Sequence, residues 1–258
     1  MSVATGDIVL FGSAGMPEDD TTTPVGGAID TSVKVVFDVA ADPGVIRCRS
    51  SSAADTTQNI IVTGVNSVGS VVSEQMNLNG TTNIVGTINW KAIWKIVKSA
   101  VTTGDIIIET SPGGVEKARL EKVYGNATGG SEIMTLRRVL YAADSESGAE
   151  FNLEKVFFKN THSTDSLANC VVTEVADTIG AGIIDFALAA SVNDTDNNGA
   201  GNRTVDNTGL TYNSSAKNVP GGNLTAGSRI GVWFKMSMGA GEAADIGNED
   251  IKLTGATV

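Results

Sequence analysis

The sequence predicts an all-β protein with two β-rich domains. Three observations carry that expectation. Apolar and polar residues alternate through Ile60 to Ile88 and again through Ser228 to Met238, the period-2 pattern of strands with one face buried. Glycine is abundant, with 30 copies, and Thr, Ser, Asn, Val and Ala dominate the rest; that composition favours short strands joined by turns over helices. Strand candidates also recur at roughly regular spacing with turn signals between them, as in a β-sandwich. The chain's 258 residues are enough for a sizeable buried core.

Residues 1–30 contain one short apolar run, Ile8-Val9-Leu10-Phe11. The acidic, Thr-rich stretch from Met16 to Asp30 carries Pro17, Pro24 and Gly26-Gly27. It reads as an extended N-terminal arm or an ordered surface loop. An N-terminal β domain, an antiparallel sandwich or barrel, follows over 31–141. Thr31 to Val39 is a strand, Asp42-Pro43-Gly44 a turn, and Val45 to Arg49 a short strand. Ser50 to Thr57 is a polar connector.

From Asn59 the chain reads as a meander of three or four antiparallel strands. Ile60 to Thr63 is β-branched, Gly64 to Ser67 is a turn, and Val71 to Leu78 alternates. Asn79-Gly80 is a hairpin signal, because a type I′ turn needs φ > 0 at both central residues. Thr81 to Ile88 resumes the β-branched pattern. Trp90, Ile93, Trp94 and Val97 fit either helical spacing or a strand end, so Lys91 to Ser99 stays open between a short helix and an edge strand. Asp105 to Thr110 is a strand and Ser111 to Gly114 a turn. Val115 to Tyr124 suits helix or strand. Gly125 to Gly130 links it to Ile133 to Tyr141.

A composition shift at Ala142 to Ala149 marks the domain boundary. A C-terminal β-sandwich domain occupies 150–258. Its strands are Phe151 to Lys159, Ala168 to Val175, Ile183 to Leu188 and Gly227 to Met238, and Ile246 to Gly255 closes the chain. Asn193 to Ser215 is an Asn/Asp/Gly-rich loop, longer than compact domains usually carry without a role. No repeat recurs at a fixed period, so a solenoid or propeller is not expected.

Formal net charge is −11. Nucleic-acid binding rests on neutralising phosphates with Lys and Arg, so no nucleic-acid partner is expected. Cys48 and Cys170 lie far apart without CxxC spacing and read as buried free thiols. A structural zinc site needs about four ligands, more than two cysteines and one histidine supply. The N-terminus lacks the basic and apolar regions of a signal peptide. No run approaches the ~18 apolar residues of a membrane span, so no membrane partner is expected.

No constellation points to catalysis, and no catalytic or cofactor-binding residue is assigned. The single histidine, His162, sits in the polar turn Asn160 to Asp165, and the chain has no GxSxG elbow. The cluster Glu18-Asp19-Asp20 reads as a solvated loop. The Gly-Gly pairs at 26–27, 113–114, 129–130 and 221–222 punctuate turns and form no phosphate-binding loop. Trp90, Trp94 and Trp233 read as core, with an aromatic sugar platform as the alternative. One stretch is metal-like. Asp194-Thr195-Asp196-Asn197-Asn198-Gly199 fits D-x-[DN]-x-[DN]-G, the first half of a calcium loop. Asp194, Asp196 and Asn198 are therefore candidate metal ligands. The twelfth position is Val205, so the bidentate carboxylate is missing, and an Asn/Gly-rich surface loop explains the same residues.

Two passages resemble virion structural proteins of tailed bacteriophages. The first is similar to a hairpin pattern TG-x-N-x-x-G-x-x-x-SE-x-x-x-LNGTT, carried by Thr63, Gly64, Asn66, Gly69, Ser73, Glu74, Leu78, Asn79, Gly80, Thr81 and Thr82. The second joins Glu154 to Val175 with Asn223 to Ala243, and resembles paired strands of small immunoglobulin-like or jelly-roll sandwiches on phage particles. The two cover about a quarter of the chain. The resemblance implies a non-enzymatic capsid decoration (cement) protein. It implies the major capsid protein as partner, self-association as a homotrimer, and a place on the capsid exterior after synthesis in the host cytoplasm. The N-terminal arm would clamp neighbouring capsid subunits. A tail tube, tail-tip or head–tail connector protein is the first alternative. A carbohydrate- or receptor-binding module using the 193–215 loop is the second.

Overall fold

The computed structural model describes residues 2–16, 20–35, 41–122, 132–134, 150–177, 183–241 and 249–258. Among these the protein is β throughout, with no α-helix. No helix of the described residues is long and apolar enough to cross a membrane. In chain order the strands are β1 (Ile8–Gly15), β2 (Gly26–Val35), β3 (Ala41–Ser50), β4 (Asn59–Asn66), β5 (Val71–Asn77), β6 (Ile84–Lys98), β7 (Ile106–Thr110) and β8 (Glu116–Leu120). They continue as β9 (Glu132–Met134), β10 (Glu150–Asn160), β11 (Leu167–Asp177), β12 (Ile183–Leu188), β13 (Lys217–Asn218), β14 (Asn223–Leu224), β15 (Arg229–Met238) and β16 (Glu249–Thr257).

The chain divides into two compact units. One comprises Thr31–Arg137; the other joins Met1–Asp30 to Arg138–Val258. This second grouping corrects the reading of residues 1–30 as an arm. β1 pairs antiparallel with β10, Ile8 opposite Asn160 and Phe11 opposite Phe157. Phe11 and Val25 are fully buried. The short Ile8–Phe11 run is a core strand whose partner lies some 150 residues onward, a distance over which local pattern carries no information. The expected boundary at 142–149 lies outside the described residues.

In the unit of Thr31–Arg137, β6 is the spine. Its first part pairs with β3 and its last part with β4 and β9. β7 pairs with β3, β8 with β7, and β5 with β4. β4 thus lies between β5 and β6, which corrects the expected meander order. Asn79-Gly80 does not join paired strands. Gly80 has φ +57°, its N–H donates to the Asp55 carbonyl at 2.8 Å, and its carbonyl accepts from Ser50 at 2.9 Å. A Cβ there would come 2.9 Å from the Ala53 carbonyl oxygen. The glycine serves a tight turn, in which Thr82 N–H donates to the Asn79 carbonyl at 3.1 Å and Asn79 pairs with Thr82 as an isolated bridge, and it also allows close approach to the 50–55 connector.

The open segment Lys91 to Ser99 is strand up to Lys98. Its helix-like spacing has a physical source. Against β4, Ile93 opposes Gly64 while Lys95 opposes Thr63, so Trp94 is an extra residue, and Lys91 is skipped in the same way. Each bulge switches the face on which later residues fall. Trp90, Ile93 and Ile96 therefore all reach the core although they are three apart. Gly64 permits the bulge, since a Cβ there would meet the Ala92 carbonyl oxygen and backbone of Ile93. The core around them includes Ile46, Ile60, Val62, Met76, Ile106, Ile108 and Leu120. The Asp42-Pro43-Gly44 turn is also corrected: it falls within β3, at a register irregularity between Ala41 and Gly44. The helix-or-strand question at Val115 to Tyr124 resolves as strand over Glu116–Leu120, with Val123 onward outside the described residues.

In the other unit, β12, β15, β10 and β1 are hydrogen-bonded in that order, all antiparallel. A second sheet is built on β11, paired with β13, β14 and β16. The two central strands are buried on both faces, through Asn152 to Phe158 on β10 and Ile230 to Phe234 on β15. A surface sheet would alternate. Something must cover each face, and on one face it is the 193–215 loop.

Candidate functional site

Leu153, Lys155 and Phe157 alternate along β10 and share one face of the sheet. Opposite them on β15 stand Lys235, Trp233 and Gly231. Val25, Leu153 and Trp233 form a core to which Leu210 and Tyr212 of the loop are packed. The loop is thus a cover for a sheet face, anchored from within by two buried cations.

Lys155 is the first. Its ammonium donates to Asp194 Oδ2 at 2.6 Å, to the Gly27 carbonyl at 3.0 Å and to the Asp196 carbonyl. Three acceptors match the three N–H bonds of an ammonium. The two side chains are 0% and 1% exposed. The Phe157 and Trp233 rings lie 4.9 and 5.2 Å from Nζ. Gly231 makes the approach possible, because a Cβ there would lie 3.0 Å from Lys155 Cε and 3.1 Å from Asp194 Oδ2. Burial pushes the Lys155 ammonium below the ordinary lysine range, against the hydrogen bond and charge of Asp194.

Arg203 is the second, 1% exposed. Nη1 donates to the Leu153 carbonyl at 3.2 Å and to Glu154 Oε1. Its Nε lies 3.3 Å from Asp20 Oδ1. Asp20 is exposed, as expected of a solvated acidic loop, and contributes this one ion pair to Arg203; Glu18 and Asp19 lie outside the described residues.

The three candidate metal ligands do not assemble into one set. Asp194 is paired with Lys155. Asn198 is fully buried and turned to the loop itself: its Nδ2 donates to the Asn202 and Val205 carbonyls, and its Oδ1 accepts from Asn207 N. Asp196 is exposed. Its backbone N–H donates to Asp194 Oδ1 at 2.9 Å. The hydrogen bond and charge of Asp194 push the Asp196 carboxyl above the ordinary carboxylate range. Among the described residues no group of three or more His, Cys, Asp or Glu is placed to hold a metal ion.

His162 is a turn residue. Its Nδ1 accepts the backbone N–H of Asp165 at 2.9 Å and of Thr164 at 3.3 Å. Cys48 and Cys170 are buried free thiols, as their spacing suggested. Burial, with the charge of Glu74, pushes the Cys48 thiol up to about 12, so it is unreactive near neutral pH. A cleft of about 310 Å³ in the other unit is lined by Gly44, Ser67, Asn89, Trp90 and Lys91. Trp90 is 1% exposed and Trp233 2%. Neither offers a ring face on which a sugar could stack, whereas Trp94 is only partly buried.

Sequence reading missed Lys155 and Arg203. The signal for Lys155 was present: a charge at an inward position between Leu153 and Phe157, in a chain that also carries an unpartnered D-x-D loop. No known family, curated protein or solved structure matches this chain.

Proposed function

We propose that this chain is a non-enzymatic structural component of a tailed-phage particle, decorating the capsid and bridging its subunits. The observation that carries the reading is the outer face of the β4–β5 hairpin. Ile61, Thr63, Val71, Ser73, Gln75 and Asn77 lie on it; none is charged in a chain of net charge −11, and the charge on this face is Lys95 of β6, opposite Thr63 at its border. Ile61 is 40% exposed and Val71 64%, and Val68 at the turn is 81% exposed. Thr63 and Ser73 hydroxyls bond across the strands at 2.9 Å, which consumes their polarity locally. Charge depletion at the centre of a patch is the compositional mark of a protein interface. The same stretch carries the phage-like hairpin residues Thr63, Gly64, Asn66, Gly69, Ser73 and Glu74.

The contact therefore moves from the expected arm to this hairpin face, since Ile8–Gly15 is committed to the core. The major capsid protein is the proposed partner. A homotrimer would hold through several linked contacts, each modest alone, at high effective concentration. The buried cations of the candidate site support a scaffold role: each is enclosed by its own chain, and neither faces solvent.

Binding to particles that lack the chain tests this reading. Purified protein should co-sediment with them. Val71→Lys with Ile61→Lys should weaken that binding at least tenfold, about 1.4 kcal/mol, with an unchanged melting midpoint. Failure of the unsubstituted chain to bind, or retention of full affinity by the double variant, would contradict it.

A further inference from the structure

We propose that Lys155 and Asp194 are joined by an isopeptide bond that the folded chain forms by itself, with the Asp196 carboxyl carrying the proton. The inference goes beyond the particle reading and does not rest on it.

The reacting groups are held together and dry. Nζ and Oδ2 are 2.6 Å apart with both side chains essentially inaccessible to water. Well-oriented intramolecular partners reach effective molarities of ~10⁵ M or more. The pair is flanked by the Phe157 and Trp233 rings. Two charges in such a place are costly to desolvate. Condensation removes both charges at once and releases the water to bulk solvent, so the enclosure favours the amide over the ion pair.

The remaining parts of the reaction are also present. A backbone N–H, that of Asp196, already holds Asp194 Oδ1 at 2.9 Å. It is placed to stabilise the oxyanion that forms there. The Asp196 side chain belongs to the same loop two residues on, and the charge of Asp194 acts on its carboxyl. Burial of Lys155 favours the neutral amine, and the charge of Asp194 makes the Asp196 carboxylate a stronger proton acceptor.

The step balances without a co-reactant. One proton passes from the ammonium to the Asp194 carboxylate, leaving an amine and a carboxylic acid. The nitrogen lone pair attacks Cγ of Asp194, forming the C–N bond and an oxyanion on Oδ1. The nitrogen then gives up a second proton to the Asp196 carboxylate. Asp196 returns it to the departing hydroxyl, the C–Oδ2 bond breaks, and water leaves. Of the three ammonium protons, one stays on the amide and two depart in the water. Nothing is oxidised or reduced, and Asp196 ends as it began.

Intact-mass measurement of the denatured full-length chain tests the proposal. The expected mass is one water below that of the sequence. Digestion should yield a branched peptide joining the segments that contain Lys155 and Asp194. Asp194→Ala and Lys155→Arg should restore the full mass. Asp196→Asn, a conservative change at an exposed residue, should leave the chain folded by circular dichroism and slow or abolish the loss of water. The unsubstituted chain's mass needs no variant to fold. A full sequence mass would overturn the bond and leave an ion pair. Loss of water persisting in Asp194→Ala would place it elsewhere and overturn the assignment. An unaltered yield in Asp196→Asn would overturn the proton-carrying role.

Discussion

The Asp55 carboxylate receives the backbone N–H of Thr103 at 2.8 Å, fixing two connectors of one β unit to each other. It also accepts from Gly104 N at 2.9 Å and from the Ser50 hydroxyl. Burial works to raise this carboxyl, but the hydrogen bonds from Ser50, Thr103 and Gly104 outweigh it and hold it below the ordinary range. Glu109 behaves alike: burial raises it, and Arg47 and Arg49, at 2.8 and 3.1 Å, more than reverse that. A depressed carboxylate contributes stability that is fully present above its unfolded-state value, near 4. That contribution disappears as pH falls through the folded-state value. Thermal melts should therefore show a falling midpoint below about pH 4. In Asp55→Ala the dependence should be shallower and the protein less stable by ~3 kcal/mol at pH 7, because buried donors lose their acceptor. Equal steepness in both proteins would count against Asp55.

Phe11 separates a strand from an arm. It is fully buried and opposite Phe157. Phe11→Ala should cost ~3–5 kcal/mol in denaturant unfolding. Deleting residues 1–28 should abolish cooperative unfolding of the unit containing β10. A dispensable arm would tolerate both changes, and a folded truncated protein would show that β1 is not part of the core.

Arg203 holds the loop to β10. Arg203→Met would leave Glu154 without its buried counter-charge, at a cost of ~3 kcal/mol or more. The loop should then open before the sheet does. Limited proteolysis should cut within 193–215 far faster than in the unsubstituted protein, since exposed polar segments are the preferred sites of nicking. Identical cleavage rates would mean that the loop is held by other contacts.

What was legible in the sequence follows from the range of each interaction. β10, β12 and β15 were legible because apolar runs and alternation report burial directly. The position of β4 between β5 and β6 was not, since pairing order depends on contacts between residues far apart in the chain. Asn79-Gly80 was legible as a tight turn, but not the fact that the strands flanking it pair elsewhere. Trp90, Ile93 and Trp94 imitated a helix because bulges shift strand parity by one residue. The D-x-D-x-N-G pattern suggested a metal loop, and the pairing of its Asp194 with the chain's own lysine was not legible. Asp194 and Lys155 are 39 residues apart, and only the fold brings them together.

The central claim, a capsid-decorating role through the β4–β5 face, is tested most directly by location. Purified particles should be imaged after labelling with an antibody against this chain. The account predicts label distributed over the capsid surface, and its loss when Val71→Lys with Ile61→Lys replaces the unsubstituted chain. Label confined to the tail or to a single vertex, or particles carrying none of the chain, would contradict it.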